Sequence, residues 1–390
     1  MNNNGIHRKK DSARIVWDSK PRRAPNPKDI EFQTAEVVIP NPETAGTLPM
    51  SFQDKLLGEE ELDKQKMNRL IWGDNLLAMQ ALLNQGYEGK INLVYIDPPF
   101  DSKADYSHKI KLGETEFTKE PSVIERLAYK DTWAGGTDSY LDMLYPRLQL
   151  MKRLLAPDGS IYVHLDWHVG HYVKVMMDEI FGVENFRNQI IWHFQAGTAP
   201  EKDFARKHNM IFRYSKGDNR YFNPVRVPVK DLSIYPFTDE NGRKYRMSGN
   251  NNATRYYADE GRKMDDVWSW IDSNEARITQ VYPAMPEHTE YQTQKPEKLM
   301  QRIIDASCPE GGLVADFFAG SGTTLAVAEK LNRRWIGCEL GKVGIQVARA
   351  RLVEQKSKPF LIENIGNYQR EMIYLGGVRI YEMQKIILKL

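Results

Sequence analysis

Asp97-Pro98-Pro99-Phe100 closes an apolar run, Ile91 to Ile96, that only Asn92 interrupts. Such a run reads as a buried strand, so the tetrapeptide is expected at the carboxyl edge of a sheet, where ligands bind in open α/β folds. The residue types suit one kind of chemistry. An exocyclic amine on a heteroaromatic ring is a poor nucleophile, because its lone pair is delocalised into the ring. A carboxylate and a backbone carbonyl that both accept its N–H bonds favour a pyramidal nitrogen and free that lone pair. Asp97 supplies the carboxylate and Pro98 the carbonyl. Pro98 and Pro99 stiffen the backbone, so the carbonyl is aimed before a substrate arrives. Phe100 offers a flat face against which an extruded base can stack. A carbon held on a sulfonium centre would then pass in line to the nitrogen, with no covalent intermediate. Taken alone, the tetrapeptide also fits a Pro-rich turn after a strand.

A second segment points to a nucleotide-like ligand. Asp316, Phe317, Phe318, Ala319, Gly320, Ser321, Gly322, Thr323 and Thr324 lie between an expected strand and an expected helix. Small residues there let backbone approach a ligand, and a helix N-terminus offers unpaired N–H groups. Glu339 ends the next strand about twenty residues past Gly320, where doubly wound nucleotide folds use an acid to grip a ribose diol. A nicotinamide site shares these features. Leu325 stands where the third glycine of that fingerprint belongs, and the Phe317-Phe318 pair points to a bulky apolar pocket instead of a pyrophosphate cradle. A plain glycine turn is the simpler alternative.

These residues must be positioned by the elements around them. Strands are expected over Leu70 to Trp72, Ile91 to Ile96, Ser160 to Leu165, Gln189 to Phe194, Met210 to Tyr214, Leu313 to Phe318 and Arg334 to Cys338. Helices are expected over Leu76 to Leu83, Tyr140 to Leu155, Val169 to Ile180, Pro296 to Ala306, Thr323 to Leu331 and Gly344 to Gln355. Pro157-Asp158-Gly159 reads as a turn. This alternation predicts an α/β fold with a doubly wound, mostly parallel sheet. Residues from about 196 to 290 break the rhythm and read as an insertion, with flanking halves at 66–195 and 291–356. Residues 1–65 read as a basic, Pro-containing arm, and 357–390 as a C-terminal extension.

Composition narrows the class. The chain has 390 residues, a net charge of +2, and 41% hydrophobic and 27% charged residues, as expected of a globular enzyme of two or three domains. With so little net charge, a nucleic-acid surface has to come from local clustering. Arg8, Lys9, Lys10, Arg14, Lys20, Arg22, Arg23 and Lys28 make the arm either a solvated tail or a DNA contact. Between Lys202 and Lys263 basic residues outnumber acidic ones about two to one, with Tyr221, Phe222, Tyr245, Tyr256 and Tyr257 interleaved. That pattern fits a phosphate- and base-contacting surface, or a solvated insertion.

Cys308 and Cys338 are too few for a disulfide framework or a four-thiolate zinc site, which points to a reducing cytoplasm. His164, His168 and His171 lack the partners of a zinc set, so no metal is expected. Met1 to Lys10 lacks the apolar stretch of a secretory signal, and no apolar run is long enough to span a bilayer. Ile386-Ile387-Leu388-Lys389-Leu390 reads either as a docked helix or as the interior of a longer protein.

The two chemical segments, in this order and with an insertion between them, resemble the beta group of DNA amino-methyltransferases. Further segments carry the likeness: Gly73-Asp74-Asn75-Leu76, Thr293-Gln294-Lys295-Pro296 and the strand around Trp192. It covers roughly residues 68 to 355. The resemblance implies an S-adenosyl-L-methionine-dependent enzyme that methylates N6 of adenine in double-stranded DNA, with the insertion as target-recognition region. It further implies that Asp74 and Asn75 reach the cofactor's adenine end. Lys295 would lie by its methionine end, Trp192 near the target base, and Asp97 would also touch the methionine amine. Modification subunits of Type III restriction systems and phage or orphan enzymes share the arrangement, which adds a homodimer or a restriction subunit as expected partners. An N4-cytosine enzyme of the same fold, and a DNA-binding subunit silent without a partner, are the alternatives.

Overall fold

Along the short apolar runs, successive side chains leave opposite faces of one sheet, and both faces are covered. The computed structural model describes residues 13–21, 25–26, 28, 30–41, 43, 64–99, 108–112, 115–119, 136–195, 200–229, 231–248, 254–269, 281, 285–289, 291 and 293–365. Phe100, the basic residues before position 13 and Ile386 to Leu390 lie outside them.

Ten strands form the main sheet: β1 (Gln33–Val38), β2 (Asn68–Trp72), β3 (Ile91–Ile96), β4 (Leu155–Leu165), β5 (Phe186–His193), β6 (His208–Ser215), β7 (Val267–Ser269), β8 (Leu313–Asp316), β9 (Arg334–Glu339) and β10 (Phe360–Asn364). Their spatial order is β1-β10-β2-β9-β8-β3-β4-β6-β5-β7. The central strands from β10 to β4 are parallel throughout. At the edges, β1 runs antiparallel to β10, and β6 antiparallel to both β4 and β5.

Six helices cover the sheet: α1 (Asn75–Asn84), α2 (Thr137–Leu154), α3 (Gly170–Phe181), α4 (Glu297–Ser307), α5 (Thr323–Lys330) and α6 (Lys342–Glu354). Ile71, Val94, Ile96, Ala315, Ile336 and Cys338 face the apolar sides of α1, α2 and α3. Their strand neighbours Leu70, Leu93, Tyr95, Val314 and Trp335 face those of α4, α5 and α6. The two-residue period of a strand therefore splits each run between two cores, and the sheet is doubly wound and mostly parallel, as expected. A fully buried leucine or isoleucine in either core contributes about 1.5–3 kcal/mol. Among the described residues, no helix is long and apolar enough to cross a membrane.

Several boundaries need correction. The stretch read as an arm is in part structural. Trp17, Ile30 and Phe32 are buried in the first core, and β1 completes the sheet. Trp17 Nε1 donates to Asp142 at 2.7 Å, and Lys20 pairs with Glu179 at 2.6 Å, so this cation is not available to DNA. The C-terminal extension likewise contains a central strand, β10. Within the region read as an insertion, β6 lies inside the sheet and β7 at its edge. What leaves the sheet is a small lobe with a three-stranded antiparallel sheet (237–238, 244–248, 254–257) and a ribbon pairing 226–227 with 262–263. Pro157-Asp158-Gly159 is not a turn between elements. It bulges within β4, where the register with β3 slips between the Ile91–Leu155 and Leu93–Ser160 pairs.

The N-terminal segment docks over a buried charge. Arg69 of β2 and Glu363 of β10 have no exposed side-chain surface and meet at 2.5 Å. The guanidinium also donates to Gln85 Oε1 at 3.1 Å and lies 4.5 Å from the ring of Phe32. Removing one partner strands the other charge in a dry interior. Glu363→Ala is therefore expected to lower stability by about 3–5 kcal/mol, read from the urea midpoint. The double variant Arg69→Met, Glu363→Leu should recover most of that loss. A double variant no more stable than the single one would contradict this account.

Candidate active site at the carboxyl edge

Parallel pairing decides where the chemical segments end. β2, β9, β8, β3 and β4 are consecutive neighbours pointing the same way. Gly73, Glu339, Asp316, Asp97 and Asp166 therefore emerge on one edge. The Asp97 turn and the Asp316 loop follow adjacent strands, about 4.8 Å apart, with Glu339 one strand further.

Asp97 is largely buried, at 16% side-chain exposure, and Pro98 is buried beneath it. Its Oδ2 forms an ion pair with the ammonium of Lys295, which also donates to Thr293 O at 3.3 Å. Its Oδ1 is buried and accepts no hydrogen bond from any described residue. Burial raises the Asp97 carboxyl above its usual range; Lys295 opposes this and Asp166 adds to it. Lys295 is aimed by its neighbours. Gln294 is buried, donates to Glu287 O at 2.5 Å and accepts from the Thr289 amide and hydroxyl at 2.8 and 2.7 Å. Pro296 then caps α4, whose Glu297 pairs with Arg351 at 2.8 Å.

The glycine loop is braced by acids. Asp316 accepts from the Phe318 amide at 3.0 Å and from the Thr324 hydroxyl at 2.6 Å. Glu339 accepts from the Gly320 amide at 2.8 Å and the Gly341 amide at 2.7 Å. Ala319 donates to Cys338 O at 3.0 Å. Gly322 is left-handed (φ 73°), and a Cβ there would stand 2.7 Å from Ala348, so glycine is required on both counts. Ser321 and Thr323 share a hydroxyl contact at 3.2 Å, and Arg351 donates to Thr323 at 2.9 Å, tying this loop to Glu297. Phe317 turns into the scaffold. Its ring is buried in the core under α1 to α3; Phe318 is partly buried against the same core.

Asp74 and Asn75 serve the scaffold. Asp74 caps α1, accepting from the Leu76 and Leu77 amides at 2.8 and 3.2 Å, and pairs with Arg147 at 2.9 Å. Asn75 donates to Phe317 O at 2.7 Å and accepts from Arg147 Nε at 2.5 Å. Arg147 thus joins α2 to the turn after β2, and Asn75 links that turn to the Asp316 loop. Nothing in the local spacing around position 147 announces this.

The three histidines divide. His164 is fully buried, with Asn209 donating to Nε2 at 3.0 Å and Nδ1 against Tyr95 Oη at 2.9 Å. Burial first, and then Lys295, holds its ring well below the ordinary imidazole range, so it is neutral. Trp192 is buried edge-on to it, 5.3 Å away. His168 pairs with Asp166 at 2.5 Å. In the small lobe, Tyr245 and Tyr257 pack at 5.7 Å, and Arg243 covers Tyr257 at 3.9 Å while paired with Asp259. These rings hold the lobe together.

Comparison with known proteins gives a consistent result. A family profile described as DNA methylase matches residues 91–349. The Type II methyltransferase M.EcaI of Enterobacter cloacae is 29% identical over 322 residues, covering 70% of this chain and 66% of that protein. The Type II methyltransferase M.HpaI of Haemophilus parainfluenzae is 28% identical over 276 residues, covering 70% and 72%. The Type III restriction-modification enzyme EcoP15I Mod subunit of Escherichia coli is 26% identical over 188 residues, covering 46% of this chain but only 29% of the subunit.

Acids crowd one edge, and Asp316 bears much of the cost. Burial, with Asp97 and Glu339 adding, pushes its carboxyl up to about 7. The folded value lies above that of the unfolded chain, so the wild-type protein loses stability as pH rises through this range and no more above it. The amide of an Asp316→Asn variant cannot titrate, and any offset it introduces is independent of pH. The melting temperature of that variant relative to wild type should therefore climb between pH 5 and pH 8. A flat difference would remove the raised carboxyl from the account.

Proposed function

The chain belongs to the DNA methylase family, and from that premise we propose that it moves a methyl group from S-adenosyl-L-methionine to N6 of adenine in double-stranded DNA. One observation carries the reading. Asp97 presents a buried oxygen, Oδ1, with no hydrogen-bond donor among the described residues, on the sheet edge that also carries the glycine loop. A buried acceptor left unsatisfied is costly, so it is expected to meet an N–H group when the site is filled.

The residues fit the cofactor. Glu339 ends the strand beside the glycine loop, held there by the Gly320 and Gly341 amides, where doubly wound folds place an acid against a ribose diol. Gly320 brings bare backbone to the loop, where a Cβ would stand 3.3 Å from the Tyr291 ring. S-adenosyl-L-methionine, when bound, supplies a methyl carbon made electrophilic by its sulfonium sulfur. The chain's own part is to prepare the nitrogen. Oδ1 of Asp97 accepts one N–H of the target amine and the Pro98 carbonyl the other. Lys295 holds Oδ2, which fixes the carboxylate plane and favours its ionised form. As the nitrogen gains its methyl group it sheds a proton, for which Oδ1 is the adjacent base. An aspartate at position 97 supports adenine over cytosine through the family resemblance. Aromatic Phe100 follows the acceptor pair in sequence, in keeping with a stacked base.

Incubation with duplex DNA and isotopically labelled cofactor, followed by nucleoside analysis, tests the proposal. N6-methyladenine is the expected product. N4-methylcytosine alone would overturn the base, and no transfer to any DNA would overturn the activity. Asp97→Ala should lose about a hundredfold or more in kcat while still binding cofactor. The carboxylate must be ionised, so kcat/KM should fall on the acid side at a pH above the usual carboxylate range. Lys295→Met removes an influence that lowers the Asp97 value, and should move that limb further up. A limb that stays put or moves down would exclude Lys295 from this role.

A further inference from the structure

Beside the acceptor turn the sheet leaves two large aromatic rings in solvent. Trp167 is 41% exposed and Phe204 97% exposed. Both belong to the carboxyl edge. Ile96 of β3 pairs with Val163 of β4, so Trp167 follows the strand next to Asp97. β5 is antiparallel to β6, which is antiparallel to β4, so β5 also ends on this edge. The connection from β5 to β6 turns there and is closed at its base by Phe194 N donating to Lys207 O at 3.0 Å. That connection carries Lys202, Phe204, Arg206 and Lys207.

The exposed indole is also held. The guanidinium of Arg206 lies 3.9 Å from its centroid, and the His168 ring stacks on it at 3.6 Å and 30°. His168 is fixed in turn by Asp166, which accepts from its amide at 2.9 Å and its Nδ1 at 2.5 Å. Asp166 is near enough to Asp97 to act on its carboxyl. A single exposed tryptophan needs no explanation. A clasped tryptophan beside the strand end that carries Asp97, with a second bare ring and further cations on a connection that turns on the same edge, does. Extruding a base unstacks its neighbours, and proteins that distort a duplex insert rigid apolar side chains where stacking is lost. Arg206 and Lys207 supply the charge that a phosphate backbone requires.

Resting on the function proposed above, we propose that Trp167, clasped by His168 and Arg206, packs into the duplex beside the extruded base and fills the gap it leaves. Its contribution is to opening the duplex, not to the transfer of the methyl group. The test compares two substrates, an intact duplex and the same duplex with an abasic site opposite the target base, where extrusion is already easy. Trp167→Ala should lose about tenfold in kcat/KM on the intact duplex, the scale of one lost base–aromatic contact, and little on the abasic one. Trp167→Phe, which keeps an aromatic ring, should recover most of the loss. The ratio of the two rates is independent of how much of a variant is folded. An equal loss on both substrates, or no loss on either, would overturn the proposal while wild-type turnover left the reading of the site standing. If the wild-type protein transferred nothing to either duplex, the site reading itself would be overturned, and this proposal with it.

Discussion

A carboxylate that is to accept N–H bonds from a weak nucleophile must be ionised, aimed and dry, and these demands conflict. Drying it favours the neutral acid. The Asp97–Lys295 ion pair resolves the conflict at one oxygen and leaves the other without a donor among the described residues. The rest of the edge can be read from this pair. Gln294 braces the loop that delivers Lys295, and Pro296 and Glu297 anchor that loop to α4. Through Arg351, Glu297 reaches Thr323 at the head of α5. The acceptor turn and the glycine loop are thus tied by charge as well as by strand pairing.

The same edge concentrates negative charge. Asp97, Asp316 and Glu339 follow three consecutive strands, and each is compensated differently. Asp97 has a lysine. Glu339 has two backbone amides. Asp316 has one amide and one hydroxyl and no described cation, and burial pushes its carboxyl up. Like charges in a poorly solvated cluster repel; Asp316 and Glu339 offset this by fixing loop backbone, and Asp97 by its ion pair with Lys295. Helix termini serve the same purpose. Asp74 caps α1 and binds Arg147, so the turn after β2 is locked to α2 before any ligand arrives.

Much of the scaffold was legible in the chain. Ile91 to Ile96 and Leu313 to Asp316 are apolar at every position but one or two, as strands buried on both faces must be. The strands β1 and β10 were not legible. Gln33–Val38 is half polar, and Phe360–Asn364 has only three apolar residues in a row. Trp17 and Phe32 also escaped notice, because prolines and cations around them dominate the composition. Pro157-Asp158-Gly159 misled for a related reason. Turn chemistry reports local backbone preference, which a bulge inside a strand satisfies equally well.

By itself the sequence picked out residues that could do chemistry, and placed Asp97, Asp316 and Glu339 at or just past strand ends. Both follow from short-range physics: side-chain period, proline stiffness and the conformational freedom of glycine. Tertiary structure alone decided which of them meet. Lys295 finds Asp97 across 198 residues, Arg147 finds Asn75 across 72, and Arg206 settles over Trp167. Those meetings depend on strand order, with β8 placed between β9 and β3, and strand order is set by how whole helices pack on the two faces of the sheet. No window of neighbouring residues contains that information.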